Sequence, residues 1–214
     1  MTHATTRLAA CLTLFLLATI PTLAFNTIDV AARLGRSTVL LTTSAHEGFC
    51  SGFVIDTKRD YVMTADHCVD FRHEQLAEGI WIDGIQATPT ASVPDLDVAV
   101  LQVTGLDRPA LKPRHATLRV GIQVMSAGFG WGTPNNQRRM GILSNLASTI
   151  PDHRFPGTWL EFDFDAAGGN SGGPIVDDDA RVVSVVQMGY RGFGVTWGRS
   201  ITAIWPATRE YWQR

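Results

Sequence analysis

Gly168-Gly169-Asn170-Ser171-Gly172-Gly173-Pro174 decides how this chain is read. A serine with glycines on both sides lies on a cramped turn, because glycine takes backbone conformations that a side chain forbids and lets another segment approach closely. Such a turn exposes the Ser171 hydroxyl. It also aims the N–H groups of Ser171 and Gly169 at one point, where an oxyanion could form. Taken alone, a Gly-Ser-Gly run is more often a plain turn, so the reading depends on what else the chain carries.

A serine hydroxyl is a weak nucleophile at neutral pH and needs an adjacent base, usually a histidine whose tautomer a carboxylate holds. In Tyr61-Val62-Met63-Thr64-Ala65-Asp66-His67-Cys68-Val69, His67 follows a short apolar run that reads as a strand. In Asp95-Leu96-Asp97-Val98-Ala99-Val100-Leu101-Gln102-Val103, Asp97 opens an apolar, β-branched run that reads as a buried strand. A carboxylate at the head of that strand is partly buried and must find a donor, which a ring N–H of His67 would supply.

These segments resemble the chymotrypsin- and trypsin-like serine proteases. Thr64-Ala65-Asp66-His67-Cys68 is similar to their Thr-Ala-Ala-His-Cys, Asp97-Val98-Ala99-Val100-Leu101 to their Asp-aliphatic-Ala-aliphatic-Leu strand, and Gly169-Asn170-Ser171-Gly172-Gly173-Pro174 to their Gly-Asp-Ser-Gly-Gly-Pro. Gly130-Trp131-Gly132 resembles a Gly-Trp-Gly early in the family's second barrel. The order His, Asp, Ser is the family's, with gaps of 30 and 74 residues. Asn170 before the serine resembles the bacterial branches, which include glutamyl endopeptidases and PDZ-bearing quality-control proteases. The resemblance implies an all-β fold of two six-stranded antiparallel barrels with the active site between them. It implies a barrel over 25–115 carrying His67 and Asp97, and a second over 116–214 carrying Ser171 and a short C-terminal helix.

The first residues read as a targeting segment. Arg7 precedes the mostly apolar Leu8–Ile20, Pro21 breaks the run, and Thr22-Leu23-Ala24 supplies small residues for cleavage, so 1–24 is expected to be a signal peptide removed after Ala24. A retained anchor is the alternative, and an exported, secreted or periplasmic location follows. Removing the segment removes Cys11 and leaves Cys50 and Cys68, an even count for an exported chain. The family has a disulfide at the matching place, implying a Cys50–Cys68 bridge that pins the loop carrying His67. The 214 residues, 45% hydrophobic with net charge −2, suit a substantial core and show no nucleic-acid or membrane-surface footprint. No Cys/His set has zinc-ligand spacing. No metal, cofactor or stable membrane association is expected; the partner is a protein or peptide substrate, and the chain a monomer. No PDZ domain is expected after Arg214.

Short apolar, β-branched segments alternate with Gly/Pro/Asn/Asp turns, the pattern of an all-β sandwich or barrel. Strands are expected at 37–43, 52–56, 61–64, 80–82 and 97–103, then at 120–127, 140–150, 158–164, 174–176, 182–188 and 194–197, with a linker at 108–118 and a helix at 202–213.

Six residues before the serine, where the family places the floor of its specificity pocket, stands Asp165. Trypsin-like enzymes have Asp there, which implies a preference for Arg or Lys; the alternative is that Asp165 caps a loop or faces solvent. Gln187-Met188-Gly189 and Gly194-Val195-Thr196 resemble the pocket walls, with Gly189 and Gly194 leaving it open. Two residues depart from the pattern. Asp66 replaces Ala before His67 and is expected to be solvated. Asn170 cannot form the ion pair of zymogen activation, so the oxyanion hole is expected to be preformed. His46 could line the cleft, and the remaining histidines read as surface residues. The leading reading is a serine endopeptidase working through His67, Asp97 and Ser171. The others are an inactive binding protein of the same fold, and an esterase or peptidase dedicated to one partner.

Overall fold

The computed structural model describes residues 25–70, 78–150, 156–190 and 192–212. The targeting segment expected over 1–24 lies outside these residues, as do Cys11, His73 and His153. The described part opens on a helix that the β-rich pattern does not announce, α1 (Thr27–Ser37). Asn26 caps it by accepting the Asp29 N–H through its side chain at 3.2 Å. Val30 and Leu34, one turn apart, are buried on its inner face.

Six strands follow: β1 (Thr38–Thr42), β2 (Gly48–Asp56), β3 (Tyr61–Thr64), β4 (Ile80–Ile82), β5 (Ile85–Val93) and β6 (Val98–Gln102). They close into an antiparallel barrel in the order β1-β2-β3-β6-β5-β4. β5 escapes the strand pattern because only two small residues, Ala87 and Ala91, are buried along it. Its Pro89 sits beside a register shift opposite β6, where a missing N–H is tolerated.

The second half holds β7 (Lys112–Pro113), β8 (Gln123–Gly128), β9 (Gln137–Ser148), β10 (Trp159–Phe162), β11 (Pro174–Val176), β12 (Arg181–Val185), β13 (Met188–Tyr190) and β14 (Val195–Gly198). The strands run in the order β13-β14-β10-β9-β8-β11-β12-β7, and the central six, β14 to β12, are brought round on themselves by a Ser184–Ser200 bridge and by Gln187 N–H donating to Trp197 O at 3.1 Å. The two additions are short edge pieces. β7 is drawn from the expected linker and pairs in parallel with β12, and β13 folds back on β14 as a hairpin. The last described element is α2 (Ile201–Trp212), which contains Pro206. Proline removes a helical hydrogen bond, so packing of the fully buried Ile204 and nearly buried Ile201, not propensity, holds this helix.

Three apolar clusters follow from this arrangement. One fills the first barrel around Leu41, Val62, Ile80 and Leu101. Another lies within the second sheet around Leu143, Phe162 and Val183. The largest joins the halves: Phe53, Met63 and Val100 of the barrel meet Met125, Val176 and Val182 of the sheet, with Leu34 of α1 and Ile204 of α2. Fully burying a side chain of this size contributes about 1.5–3 kcal/mol, so the contacts across the seam contribute strongly to holding the two halves together.

Candidate active site

His67 stands on a single 3₁₀ turn, Asp66–Cys68, directly after β3. Asp97 stands between a second such turn, Pro94–Leu96, and β6, with left-handed backbone (φ 47°, ψ 54°). Few non-glycine residues accept that conformation, Asp among the more tolerant. β3 and β6 are paired, Thr64 with Ala99, so their ends bring the two turns together. The Asp97 carboxylate accepts the His67 main-chain N–H at 3.0 Å and faces ring Nδ1 at 2.9 and 3.0 Å. With Nδ1 donating to the carboxylate, Nε2 is the basic ring nitrogen. Burial of the ring opposes its cation. The hydrogen bond to Asp97 and the charges of Asp97 and Asp66 outweigh that, and the His67 pKa is raised above the ordinary histidine value. Asp66 is not simply solvated as expected, for its carboxylate accepts the Ser92 hydroxyl at 2.6 Å.

Ser171 lies on the glycine turn at the mouth of the second sheet. Ser51 of β2 reaches across and fixes this turn at two points: its hydroxyl donates to Gly169 O at 2.6 Å and its N–H to Ser171 O at 2.8 Å. The same hydroxyl accepts the Phe129 N–H at 2.8 Å. The Trp131 N–H donates to Gly168 O at 2.6 Å. In a trans peptide the N–H points opposite to the C=O, so holding Gly168 O against Trp131 turns the Gly169 N–H the other way. Neither the Gly169 nor the Ser171 N–H donates to an acceptor among the described residues. Glycine is required here: Gly169 has φ +93°, and a Cβ would lie 2.4 Å from Phe129 O. Asn170 is buried and its side-chain oxygen accepts the Ala167 N–H at 2.9 Å, which closes the turn from within.

Cys50 and Cys68 form a disulfide, tying β2 to the His67 turn. It also removes the thiols from the grouping of Cys50, His67 and Cys68, the one candidate metal cluster among the described residues. Gln187, another group the sequence leaves unmarked except as pocket wall, is buried and donates to Leu96 O at 2.5 Å and Asp97 O at 2.6 Å, while its oxygen accepts the Arg199 N–H at 2.6 Å. It pins the Asp97 turn to the second sheet. Only the unusual Ser51 between Cys50 and Gly52, and the long amide at 187, could have hinted at these roles.

His67, Asp97, Trp131 and Ser171 line one cleft of about 620 Å³, continued by Ala166, Val186 and Gly189. The expected pocket floor is not there. Asp165 is exposed and its carboxylate accepts the Gly194 N–H at 2.8 Å. Neither residue lines the cleft, nor does His46. The physical reason is local: Gly194 turns with φ +66° and offers an N–H that the nearby carboxylate satisfies. Gly189 does face the cleft.

Two β-units with a histidine–carboxylate pair from one and a glycine-flanked serine from the other are the arrangement seen in the two-barrel serine peptidase class. The chain belongs to the trypsin-like peptidase domain family, whose model matches residues 50–185. It is 30% identical over 136 residues to a probable periplasmic serine endoprotease, DegP-like, of Pseudomonas putida (strain W619), covering 63% of this chain and 28% of that one. It is 26% identical over 164 residues to the pro-apoptotic serine protease NMA111 of Coccidioides immitis, covering 67% of this chain and 15% of the relative. The chain therefore spans little more than a quarter, 28%, of the DegP-like relative. In fold it is similar to the active form of the Rv3671c protease from M. tuberculosis (TM-score 0.71, 21% identity, 86% of this chain and 84% of that one). It is likewise similar to the HtrA-type protease AlgW with tripeptide (TM-score 0.71, 19% identity, 86% and 62%). No helix among the described residues is long and apolar enough to cross a membrane.

Proposed function

We propose that the chain is an exported serine endopeptidase acting on proteins or peptides through His67, Asp97 and Ser171. Ser171 Oγ attacks the scissile carbonyl while His67 Nε2 takes its proton. The tetrahedral oxyanion is received by the Gly169 and Ser171 N–H groups. His67 returns the proton to the leaving amine, and water, activated by the same nitrogen, hydrolyses the acyl-enzyme. Asp97 holds the reactive tautomer and favours the imidazolium that forms in each half. The observation that carries this reading is the Asp97–His67 pair opening on the same cleft as Ser171.

Two features set how the enzyme works. The peptide planes around Gly169 are already turned, and Asn170 is bound to Ala167 N–H, so no new N-terminus is needed for activity. With Ala166, Val186 and Gly189 as walls and Asp165 turned away, the pocket suits an uncharged side chain before the cleaved bond in place of Arg or Lys. Export is supported by the leader-like residues 1–24 and by the periplasmic naming of the relatives. A fluorophosphonate probe tests the mechanism: it labels Ser171 in folded protein and not in Ser171→Ala. Folded protein that stays unlabelled overturns the reading.

A further inference from the structure

Ser51 reaches the site from the other half of the molecule, and each of its polar groups holds a different part of it. It is fully buried on β2. Its N–H donates to Ser171 O at 2.8 Å. Its carbonyl accepts the Thr64 hydroxyl at 2.7 Å, at the end of the strand that leads to His67. Its hydroxyl donates to Gly169 O at 2.6 Å and accepts the Phe129 N–H at 2.8 Å. Gly128 leaves room for that oxygen, since a Cβ there would stand 3.0 Å from Ser51 Oγ.

The hydroxyl bears on the direction of one N–H. Gly169 has no Cβ and φ +93°, so no side chain of its own steadies the peptides on either side of it. The direction of its N–H depends on what holds the two flanking carbonyls. Gly168 O is held by the Trp131 N–H at 2.6 Å, on a segment whose start, Phe129, is bound to Ser51 Oγ. Gly169 O is held by Ser51 Oγ itself. One oxygen therefore anchors both carbonyls. A buried hydroxyl that donates to one group and accepts from another keeps both in register, and losing it leaves two buried main-chain groups unsatisfied.

We propose that Ser51 is a positioning residue for the oxyanion hole: its hydroxyl fixes the Gly169 N–H on the point where the tetrahedral oxygen forms. Ser51 does not line the cleft, so it acts through Gly169 and not on the substrate. The half that carries His67 and Asp97 thereby sets the geometry of the half that carries Ser171. The effect falls on the transition state. A Gly169 N–H held off its line still admits the planar carbonyl of the bound substrate, but it loses the bond to the oxygen as charge develops there. This role rests on the peptidase reading, since the hole matters only to acyl transfer.

The test compares the parent with Ser51→Ala, Ser51→Gly and Ser51→Thr, counting reactive sites by complete fluorophosphonate labelling so that misfolded molecules do not enter the rates. An unlabelled parent sinks the peptidase reading and this role with it. With a labelled parent, the variants decide the role alone. In Ser51→Ala and Ser51→Gly, kcat per labelled site is expected to fall on the order of a hundredfold, the low end of what losing a donor of the hole costs, with KM unchanged. A peptide aldehyde, whose adduct places an oxygen in the hole, loses affinity by the same factor. A peptide with the scissile carbonyl reduced to methylene binds as it does to the parent. Ser51→Thr keeps the hydroxyl and recovers most of kcat. The acid limb of the pH profile stays in place throughout, because His67 and Asp97 are untouched. Three results overturn the role: kcat per labelled site within about threefold of the parent in both deletions, equal weakening of the aldehyde and the reduced peptide, or two deletions that do not fold, which would leave the hydroxyl a purely structural group.

Discussion

At Asp97 one carboxylate holds both the main chain and the ring of His67, on a backbone that few side chains accept. Replacing it by asparagine keeps the size and the main-chain bond but stops favouring the Nδ1–H tautomer and the cation. Asp97→Asn is expected to lower turnover by about four orders of magnitude, the loss measured for the same substitution in related triads, with the fold intact by circular dichroism. Asp95, exposed two residues earlier, serves as the control, and Asp95→Asn changes kcat little. Under the proposed mechanism the raised His67 pKa is expected to set the acid side of the activity profile. The reacting form is neutral, so kcat/KM rises with pH through a pKa above the ordinary histidine value, and Asp66→Asn moves that limb to lower pH. For stability the sign is opposite. The folded state binds the His67 proton more tightly, so this contribution is present in acid and is lost as pH rises through the folded pKa. A limb that stays put in Asp66→Asn would remove Asp66 from the electrostatics of the site.

The element scale shows which signals survive in a sequence. Tyr61–Thr64, Ile80–Ile82 and Pro174–Val176 stand where their apolar runs place them. α1 and β5 were hidden because each buries only two apolar side chains, Val30 and Leu34 in one, Ala87 and Ala91 in the other, too sparse a pattern to register. The Cys50–Cys68 bridge closes a loop of 18 residues around β2, β3 and the His67 turn. Constraining the unfolded chain by a loop of that size is worth about 3 kcal/mol, so Cys50→Ser/Cys68→Ser is expected to lose about that much in urea unfolding. A loss confined to activity would show that the bridge acts on His67 alone. Leu34, fully buried in the seam, predicts a cost of about 2–5 kcal/mol for Leu34→Ala. A change below 1 kcal/mol would mean that α1 packs loosely.

For the whole molecule, the largest apolar cluster belongs to neither half. Phe53 and Val100 of the barrel share it with Met125 and Val182 of the sheet, and the two helices close its ends. Ser51 and Gln187 add hydrogen bonds in both directions across the same seam. Separating the halves would expose that cluster and open the cleft together. Residues 25–214 are therefore expected to unfold in one transition, coincident by tryptophan fluorescence and by far-ultraviolet circular dichroism. Two resolved transitions would show that the halves are held together less tightly than their shared core implies.

By itself the sequence determined the motifs and their order: the His67, Asp97 and Ser171 segments, the paired cysteines, the strand-rich pattern and the terminal helix. Each is a local signature, written by residue types within a few positions of one another. Only the tertiary structure decided what those residues meet. It turned Asp165 to the Gly194 N–H and out of the cleft, fixed the Gly169 peptide through Ser51 and Trp131, and locked Asp97 through Gln187. It also added the edge strands β7 and β13 to the second half. These outcomes depend on groups far apart in the chain satisfying buried donors and acceptors, and no local pattern encodes which distant partner a polar group will find.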